Sequence, residues 1–507
     1  GVPGSSVSLD SSSLDSRKRL NRRSRLAALL LLACSVRLAQ PDIILDWNAL
    51  MMAGVRADNS SPTLSTRNLA ILHLAIFDSV NSITRTHQPY LVQLNRFPGA
   101  SAEAAAAAAG HTVLRSLYPS VQNRADELFQ NWRASAAASP GLTNGLEIGA
   151  SVAQQILAAR INDGSSTDVP YIPSDAPGQW RRTPPFFRPP LAPQWRYVKP
   201  FAIDDVARFV PPPPPALDSP EYARELNEVK EIGGKNSSLR TPYQTETAVF
   251  WSDFSYTAMP PGHWHEIAAT IVQNASLPLA ETARLMALLS IAQADGAVVC
   301  WESKYRYNLW RPVTAIQRAD EDNNPETEAD PEWDHLLAAP PFPSYSSGHS
   351  TFSKASAEIL TLFFGTDAIT FTATSDSLPG VVRTYHSLAA CADEVGLSRI
   401  YGGIHYHSDN VAGKTSGRDV ARFVMANVLL ANEDLPLVRI EGQNAAEILV
   451  RIHGHAGESV VVETSEDLGQ WRGVSTHRMA PRGLLVPVPK GGAAKLFVRL
   501  REITEGE

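Results

Sequence analysis

Three short segments carry residues whose types and spacing suit the binding and turnover of a small oxyanion. The first is Lys304-Tyr305-Arg306-Tyr307-Asn308-Leu309-Trp310-Arg311-Pro312. Lys304 and Arg311 are seven residues apart, two helical turns, so the spacing predicts that both leave one face of a helix that Pro312 interrupts or ends. Two such cations can clamp one tetrahedral oxyanion, the guanidinium through paired N–H groups. Taken alone, the pair is more often a solvated basic face. The second segment is Pro343-Ser344-Tyr345-Ser346-Ser347-Gly348-His349-Ser350-Thr351. A Pro/Ser-rich loop runs into an apolar-periodic stretch, which places Ser347 and the Gly348 amide at a helix N-terminus, where anions are favoured. Gly348 permits close backbone approach, and His349 stands ready for acid–base work. The third is Ser398-Arg399-Ile400-Tyr401-Gly402-Gly403-Ile404-His405-Tyr406-His407-Ser408-Asp409. The spacing of His405 and Asp409 predicts an i, i+4 pair on one helix, with Asp409 accepting from one ring nitrogen and the other left as nucleophile or metal ligand. Arg399 adds a third cation. A zinc cluster of His405, His407 and Asp409 is the rival, disfavoured by the surrounding cations and by the lack of a clear further ligand set. A serine-hydrolase elbow is absent.

Helices must carry these groups. Runs with 3.6-residue apolar periodicity cover 66–80 (TRNLAILHLAIFDSV), 102–117, 142–161, 264–274, 279–310, 349–364 and 385–395. Residues 170–215 are Pro-rich, with 211–215 all proline, and read as a long ordered loop wrapping the bundle at an entrance. Trp180, Phe186, Phe187, Trp195 and Tyr197 are expected to pack there. After Leu435 the texture changes to short strand-like runs at 437–440, 446–452, 459–464, 484–488 and 494–500, a small β-sandwich. Thr464-Ser465-Glu466-Asp467-Leu468 followed by Trp471 resembles β-modules appended to secreted bacterial proteins.

The chain has 507 residues, 44% hydrophobic, and a net charge of −7. That composition excludes global disorder and gives no electrostatic footprint for nucleic acid. Any anion site must be a local concentration of cations. Three cysteines cannot form a disulfide scaffold. Arg17, Lys18, Arg19, Arg22, Arg23 and Arg25 precede an apolar run at 26–36, the pattern of a secretory signal over residues 1–40. Secretion or periplasmic export is therefore expected, with Leu32-Ala33-Cys34 loosely matching a lipoprotein cleavage site and Arg22-Arg23 a weak twin-arginine signal. No other segment is expected to cross a membrane. Cys300 and Cys391 remain beyond the signal, their pairing open.

Together, Lys-x6-Arg-Pro, then Pro-Ser-x-x-Ser-Gly-His, then Ser-Arg-x5-His-x3-Asp resemble the signature of the vanadium-dependent haloperoxidase and type 2 phosphatidic acid phosphatase superfamily. Trp47-Asn48, Arg67-Asn68-Leu69-Ala70 through Asp78, and Pro261-Gly262-His263-Trp264 look like bacterial haloperoxidase-type members. The likeness covers most of 42–430 and not the C-terminal β-module. It implies an all-α catalytic domain over 41–432 built from four-helix bundles; the strand-like runs separately predict a small C-terminal β-sandwich accessory domain over 437–507.

The resemblance also implies roles. Vanadate is the expected cofactor, or phosphate if the chain is a phosphatase. His405 matches the axial vanadium ligand, and Lys304, Arg311, Ser347, the Gly348 amide and Arg399 match the groups on the other oxygens. His349 matches the acid–base histidine, and Lys304 the group that polarises the peroxide. Trp301 and Phe342 match chloroperoxidase-type positions, although core packing explains both equally well. The family often has Pro where Ser346 stands, a departure that touches loop rigidity. Hydrogen peroxide and halide are the expected partners, an organic acceptor being a further one. The alternative is a soluble secreted acid phosphatase with His405 as nucleophile and His349 as general acid. Whether the chain forms a homodimer is left open by the sequence.

Overall fold

The computed structural model describes residues 42–503, except 96, 456, 481, 482 and 494. The expected signal segment, with Arg22-Arg23 and Cys34, lies outside the described residues. Among those described, thirteen α-helices dominate. Five come first: α1 (Ile43–Ala57), α2 (Pro62–Thr84), α3 (Ala102–Leu117), α4 (Gln122–Ser135) and α5 (Leu142–Ala159). After a long loop follow α6 (Pro220–Ile232), α7 (Pro242–Phe250), α8 (Met259–Ala275), α9 (Leu279–Tyr307) and α10 (Pro312–Gln317). The last three are α11 (Gly348–Phe364), α12 (Leu388–Tyr401) and α13 (His407–Asn427). Local chemistry sets many of the starts. Ser61, Ser219 and Thr241 each cap a helix whose first residue is proline, the position where a missing N–H costs nothing.

Helix α9 is the axis. It packs against α2, which with α3 and α5 forms an N-terminal bundle, and against α11 and α13, which with α12 form a second. By length and hydropathy α9 could cross a bilayer, contrary to the expectation that no such segment exists, but 94% of its most apolar window is buried in the protein. It is apolar on all sides because it is surrounded. Apart from the helix expected to carry His405 and Asp409, no periodic run marks α13, whose polar sequence contains Gly413 and Gly417. A Cβ at those positions would stand 2.5 Å from the Ser347 carbonyl oxygen and 2.3 Å from that of Thr351. The two glycines therefore permit α13 to lie against α11.

The Pro-rich stretch is an ordered strap with short 3-10 turns at Pro193–Tyr197 and Val206–Phe209. Trp180 and Trp195 are buried as expected, whereas Phe186, Phe187 and Tyr197 are exposed. Cys300 and Cys391 are both free and buried, so they do not pair. A hairpin, β1 (Phe371–Thr374) with β2 (Val382–Tyr385), precedes α12. It takes residues that the periodicity had assigned to the helix, which starts only after its cap at Ser387.

The tail forms two antiparallel three-stranded sheets. In one, β4 (Glu447–His453) lies between β3 (Leu437–Gln443) and β7 (Leu484–Pro489). In the other, β5 (Ser459–Ser465) lies between β6 (Arg472–Arg478) and β8 (Phe497–Glu502). Val450, Ile452, Val460, Val462 and Val488 share one small core. The strand β6 escaped sequence reading because it is an edge strand of mostly exposed polar residues. The tail is tied to the helical part: Arg451 pairs with Asp204 of the strap at 2.8 Å, and His453 Nε2 meets Asn427 Oδ1 of α13 at 3.1 Å.

Candidate active site

Lys304 and Arg311 do not share a helical face. The helix α9 ends at Tyr307, Asn308 adopts a left-handed conformation, and its N–H caps the Lys304 carbonyl. Arg311 is then the N-cap of α10, and Pro312 is that helix's first residue instead of the end of the previous one. The reversal still aims both side chains at one place. Arg311 Nε donates to the Phe342 carbonyl (2.9 Å), and Nη1 donates to the Ile404 carbonyl (2.8 Å) and approaches His405 Nε2 (3.1 Å). Lys304 Nζ donates to the carbonyls of Pro343 (3.0 Å), Ser344 (3.0 Å) and Ser346 (2.5 Å). Its three N–H groups thus hold the loop that leads into α11.

That loop ends as the spacing predicts. Ser347 caps α11, its Oγ accepting from Ser350 N and from Ser350 Oγ, so its own hydroxyl hydrogen remains to donate. The Gly348 and His349 residues open the helix and line a cavity. The Ser347 N–H donates to the Asp409 carbonyl (2.9 Å), which joins the loop to α13.

His405 and Asp409 meet, but not as an i, i+4 helical pair. The helix α13 starts only at His407. His405 sits in the preceding turn, which Gly403 reverses with φ +75; a Cβ there would also strike the Gly233 carbonyl oxygen at 2.3 Å. Asp409 is the third residue of α13 and caps the backbone N–H of Tyr406. The same Oδ2 lies 2.6 Å from His405 Nδ1 and accepts from Ser344 Oγ. Burial, then Arg311, Lys304 and Arg399, push the His405 pKa well below its ordinary value. The hydrogen-bond network assigns one tautomer: neutral, Nδ1–H donating to Asp409, the Nε2 lone pair pointing toward Arg311. His407 is displaced from this centre, 4.0 Å from Glu228, so no zinc-type cluster forms with His405 and Asp409.

Arg399 comes from the last turn of α12. Its Nη1 donates to the Trp251 carbonyl at 2.9 Å, while Nε and Nη2 have no partner. Next to Trp251 stands Asp253, buried, with a left-handed φ of 45. Its Oδ1 lies 3.1 Å from His263 Nδ1, and its Oδ2 lies 4.0 Å from His349 Nε2. Burial and the Arg399 charge depress the His349 pKa well below normal, against the opposing Ser252 and Trp251 carbonyls.

The cavity has a volume of about 280 Å³. Gly348, His349, Arg399 and His405 form part of its polar lining, together with Asp253. Lys304, Arg311 and Ser347 are fully buried behind that wall. Burial lowers Arg311 to about 10 and Arg399 to about 9, and pulls Lys304 down as well. Burial raises Asp409, a shift that Ser344, Lys304 and Arg311 oppose. Three cations face two buried carboxylates, Asp409 and Asp253, which leaves an excess of positive charge. Arg311 Nη2, Arg399 Nε, Arg399 Nη2 and His349 Nε2 are all buried without an acceptor.

Two family profiles match in this order along the chain. The Vanadium chloroperoxidase N-terminal domain covers residues 38–188, and the VCPO second helical-bundle domain covers 284–432. A solved bacterial vanadium-dependent iodoperoxidase is 27% identical and superposes with a TM-score of 0.69, over 77% of this chain and 97% of that one. The chain belongs to the vanadium haloperoxidase superfamily. The vanadium chloroperoxidase of Curvularia inaequalis is 25% identical over 40% of this chain, a match that spans 43% of the fungal protein's length. A bacterial vanadium-dependent chloroperoxidase shares the fold at 18% identity, with a TM-score of 0.57 over 72% of this chain and 92% of that one.

Within this superfamily member, all seven residues expected around the oxyanion come together at one end of the second bundle. Trp301 and Phe342 also reach the cavity, their rings 5.1 Å apart, and Lys304 Nζ lies 4.8 Å from the Phe342 ring centroid. Sequence reasoning missed Asp253. It belongs to no motif, and nothing in the chain near Ser252-Asp253 signals that α7 will deliver it to His349.

Proposed function

We propose that the chain is a vanadate-dependent haloperoxidase that oxidises halide with hydrogen peroxide to hypohalous acid. The observation that carries this reading is the set of buried donors without acceptors around His405. A buried cation lacking a partner costs on the order of several kcal/mol, and a small oxyanion removes that cost. The residues also fit one sterically. A Cβ on Gly348 would meet only Phe352 and Trp301 at 3.6 and 3.8 Å, ordinary contacts, so the protein itself does not require the open space beside this amide.

In this assignment His405 Nε2 would bind vanadium, and Arg311, Arg399, Ser347 and the Gly348 N–H would hold the oxygens. Vanadate, when bound, supplies a Lewis acid that activates peroxide without changing its own oxidation state. The chain's residues do the rest. Asp409 fixes the His405 tautomer and strengthens its lone pair as a donor. Arg311 and Arg399, both fully buried, would withdraw charge from bound oxygens. Lys304 contributes charge and holds the 343–346 carbonyls in place. His349, neutral and facing the cavity, exchanges a proton at Nε2 with the incoming peroxide or the leaving oxygen. Asp253, 4.0 Å from that nitrogen, favours the cation by its charge. We further propose export through residues 1–40 and an accessory role for the β-sandwich over 437–507.

A paired measurement tests the reading. The protein is reconstituted with vanadate and assayed for peroxide-dependent oxidation of iodide, bromide and chloride, and the vanadate-free form is assayed on a phosphomonoester. Vanadate-dependent halide oxidation is the expected result. Phosphomonoester turnover without halide oxidation would instead make the chain an acid phosphatase that uses the same residues.

A further inference from the structure

The cavity is larger than its proposed inorganic substrates need. A water-sized molecule occupies about 30 Å³, so peroxide and one halide fill a minor part of 280 Å³. The whole cavity, oxyanion site included, lies just under the range of small-molecule sites, about 300–1,000 Å³. Its outer walls are apolar and stiff. Pro189 and Leu191 of the strap face Pro341 and Phe342, and Phe352 of α11 closes the side. Proline-rich walls preform the shape, and a preformed apolar pocket is poorly hydrated and favours an apolar guest. Arg188 stands at the exposed rim. Arg181, Arg196 and Arg208 of the same strap each pair with a carboxylate. Arg182 and Arg188 have no carboxylate partner among the described residues, and of the two only Arg188 lines the cavity, its guanidinium 5.8 Å from the Phe186 ring.

We propose that this vestibule binds an organic acceptor with a ring-sized apolar body and an anionic head, the head on Arg188 and the body against Leu191, Pro341, Phe342 and Phe352. The proposal takes its chemistry from the haloperoxidase reading, while the binding itself is independent of that reading. The acceptor exchanges a C–H bond for a carbon–halogen bond. Halide loses two electrons, and hydrogen peroxide accepts them. The acceptor's proton and one proton from solvent complete two molecules of water. Halogenation then happens inside the cavity, with the position set by the walls.

The probe is 2-naphthoate, with neutral 2-naphthalenemethanol as its partner. Both are titrated by calorimetry into the protein with inorganic phosphate saturating the inner site. We expect 2-naphthoate to bind with phosphate present and Arg188→Ala to weaken it about tenfold or more. Arg182→Ala, a nearby strap arginine, should leave it unchanged, and the alcohol should respond to neither substitution. Bromination of 2-naphthoate should give an isomer ratio different from that of free hypobromite. Displacement of 2-naphthoate by phosphate, or equal binding by Arg188→Ala, overturns the proposal, as does an isomer ratio identical to that of free hypobromite. Phosphate-insensitive, Arg188-dependent binding with no halide oxidation supports the acceptor site and overturns the haloperoxidase reading alone.

Discussion

Two centres in this protein are built around fully buried imidazoles, and they behave oppositely. In the N-terminal bundle, Asn48 Oδ1 lies 3.1 Å from His73 Nε2 and 3.0 Å from His265 Nδ1, and the two rings stack 5.2 Å apart. Ser290 Oγ reaches the other His265 nitrogen at 3.4 Å. Burial drives His265 down to about 3, and burial with His265 drives His73 well below its ordinary value. His405 is depressed for the same first reason. Burial therefore does not make a site. The difference is the company: amide, hydroxyl and a second neutral ring in one case, and in the other three cations, two of them arginines with unspent donors, and an opening to a cavity. The first centre is neutral and leaves only the His73 Nδ1 unpartnered, whereas the second leaves charged N–H donors that an anion would satisfy.

Substitutions separate the two centres. The largest effect is expected from His405→Ala, which should lower vanadate affinity by at least about 10³-fold in equilibrium dialysis; retained tight binding would refute the axial role. His349→Ala should keep vanadate affinity within about tenfold while halide turnover drops about 10²–10⁴-fold. A matching loss of affinity would move His349 from proton transfer to binding. Arg399→Met should weaken oxyanion binding about 10–100-fold yet leave the anion-free melting temperature unchanged or higher, since it removes a buried cation two of whose nitrogens have no acceptor. Asn48→Ala should do the reverse, costing about 1–3 kcal/mol in urea unfolding and leaving oxyanion affinity unaltered. A loss of affinity in Asn48→Ala would show that the centres are coupled.

The last effect is graded with pH. His73 and His265 have depressed pKa values in the folded protein. The unfolded chain therefore takes up their protons first as pH falls through about 6.5. Their stabilisation is fully present above that pH and is lost as pH falls toward the folded value, near 3 for His265. Urea unfolding between pH 7.5 and 4 should show stability falling by up to about 1.4 kcal/mol per pH unit for each histidine. His265→Gln should flatten that slope, and an unchanged slope would place the uptake elsewhere.

Much of the site was legible in the chain because its chemistry is written in local strings. A serine before a glycine and an apolar-periodic run makes an N-cap wherever it folds, and Ser347 is one. Periodicity located α2, α3, α5, α9 and α11 because each buries a wide apolar stripe. It failed for α13, whose contact with α11 runs through Gly413 and Gly417, residues that carry no apolar signal. It also failed across 304–311 and 405–409. A spacing of seven or four reads as helix by default, while Asn308 and Gly403 reverse the chain there.

The sequence by itself determined which groups take part: three cations, two histidines, a capping serine, a bare amide and an acidic partner for His405. Side-chain type fixes charge, donor number and proton chemistry without reference to the fold. Only the tertiary structure decided how they are used. It locked Lys304 onto three loop carbonyls, left Arg399 with unspent donors, and brought Asp253 from a distant segment to within 4.0 Å of His349. Such assignments depend on which backbone carbonyls and carboxylates arrive within hydrogen-bond or ion-pair reach. Arrival is settled by packing between segments far apart in the chain, which no local string records.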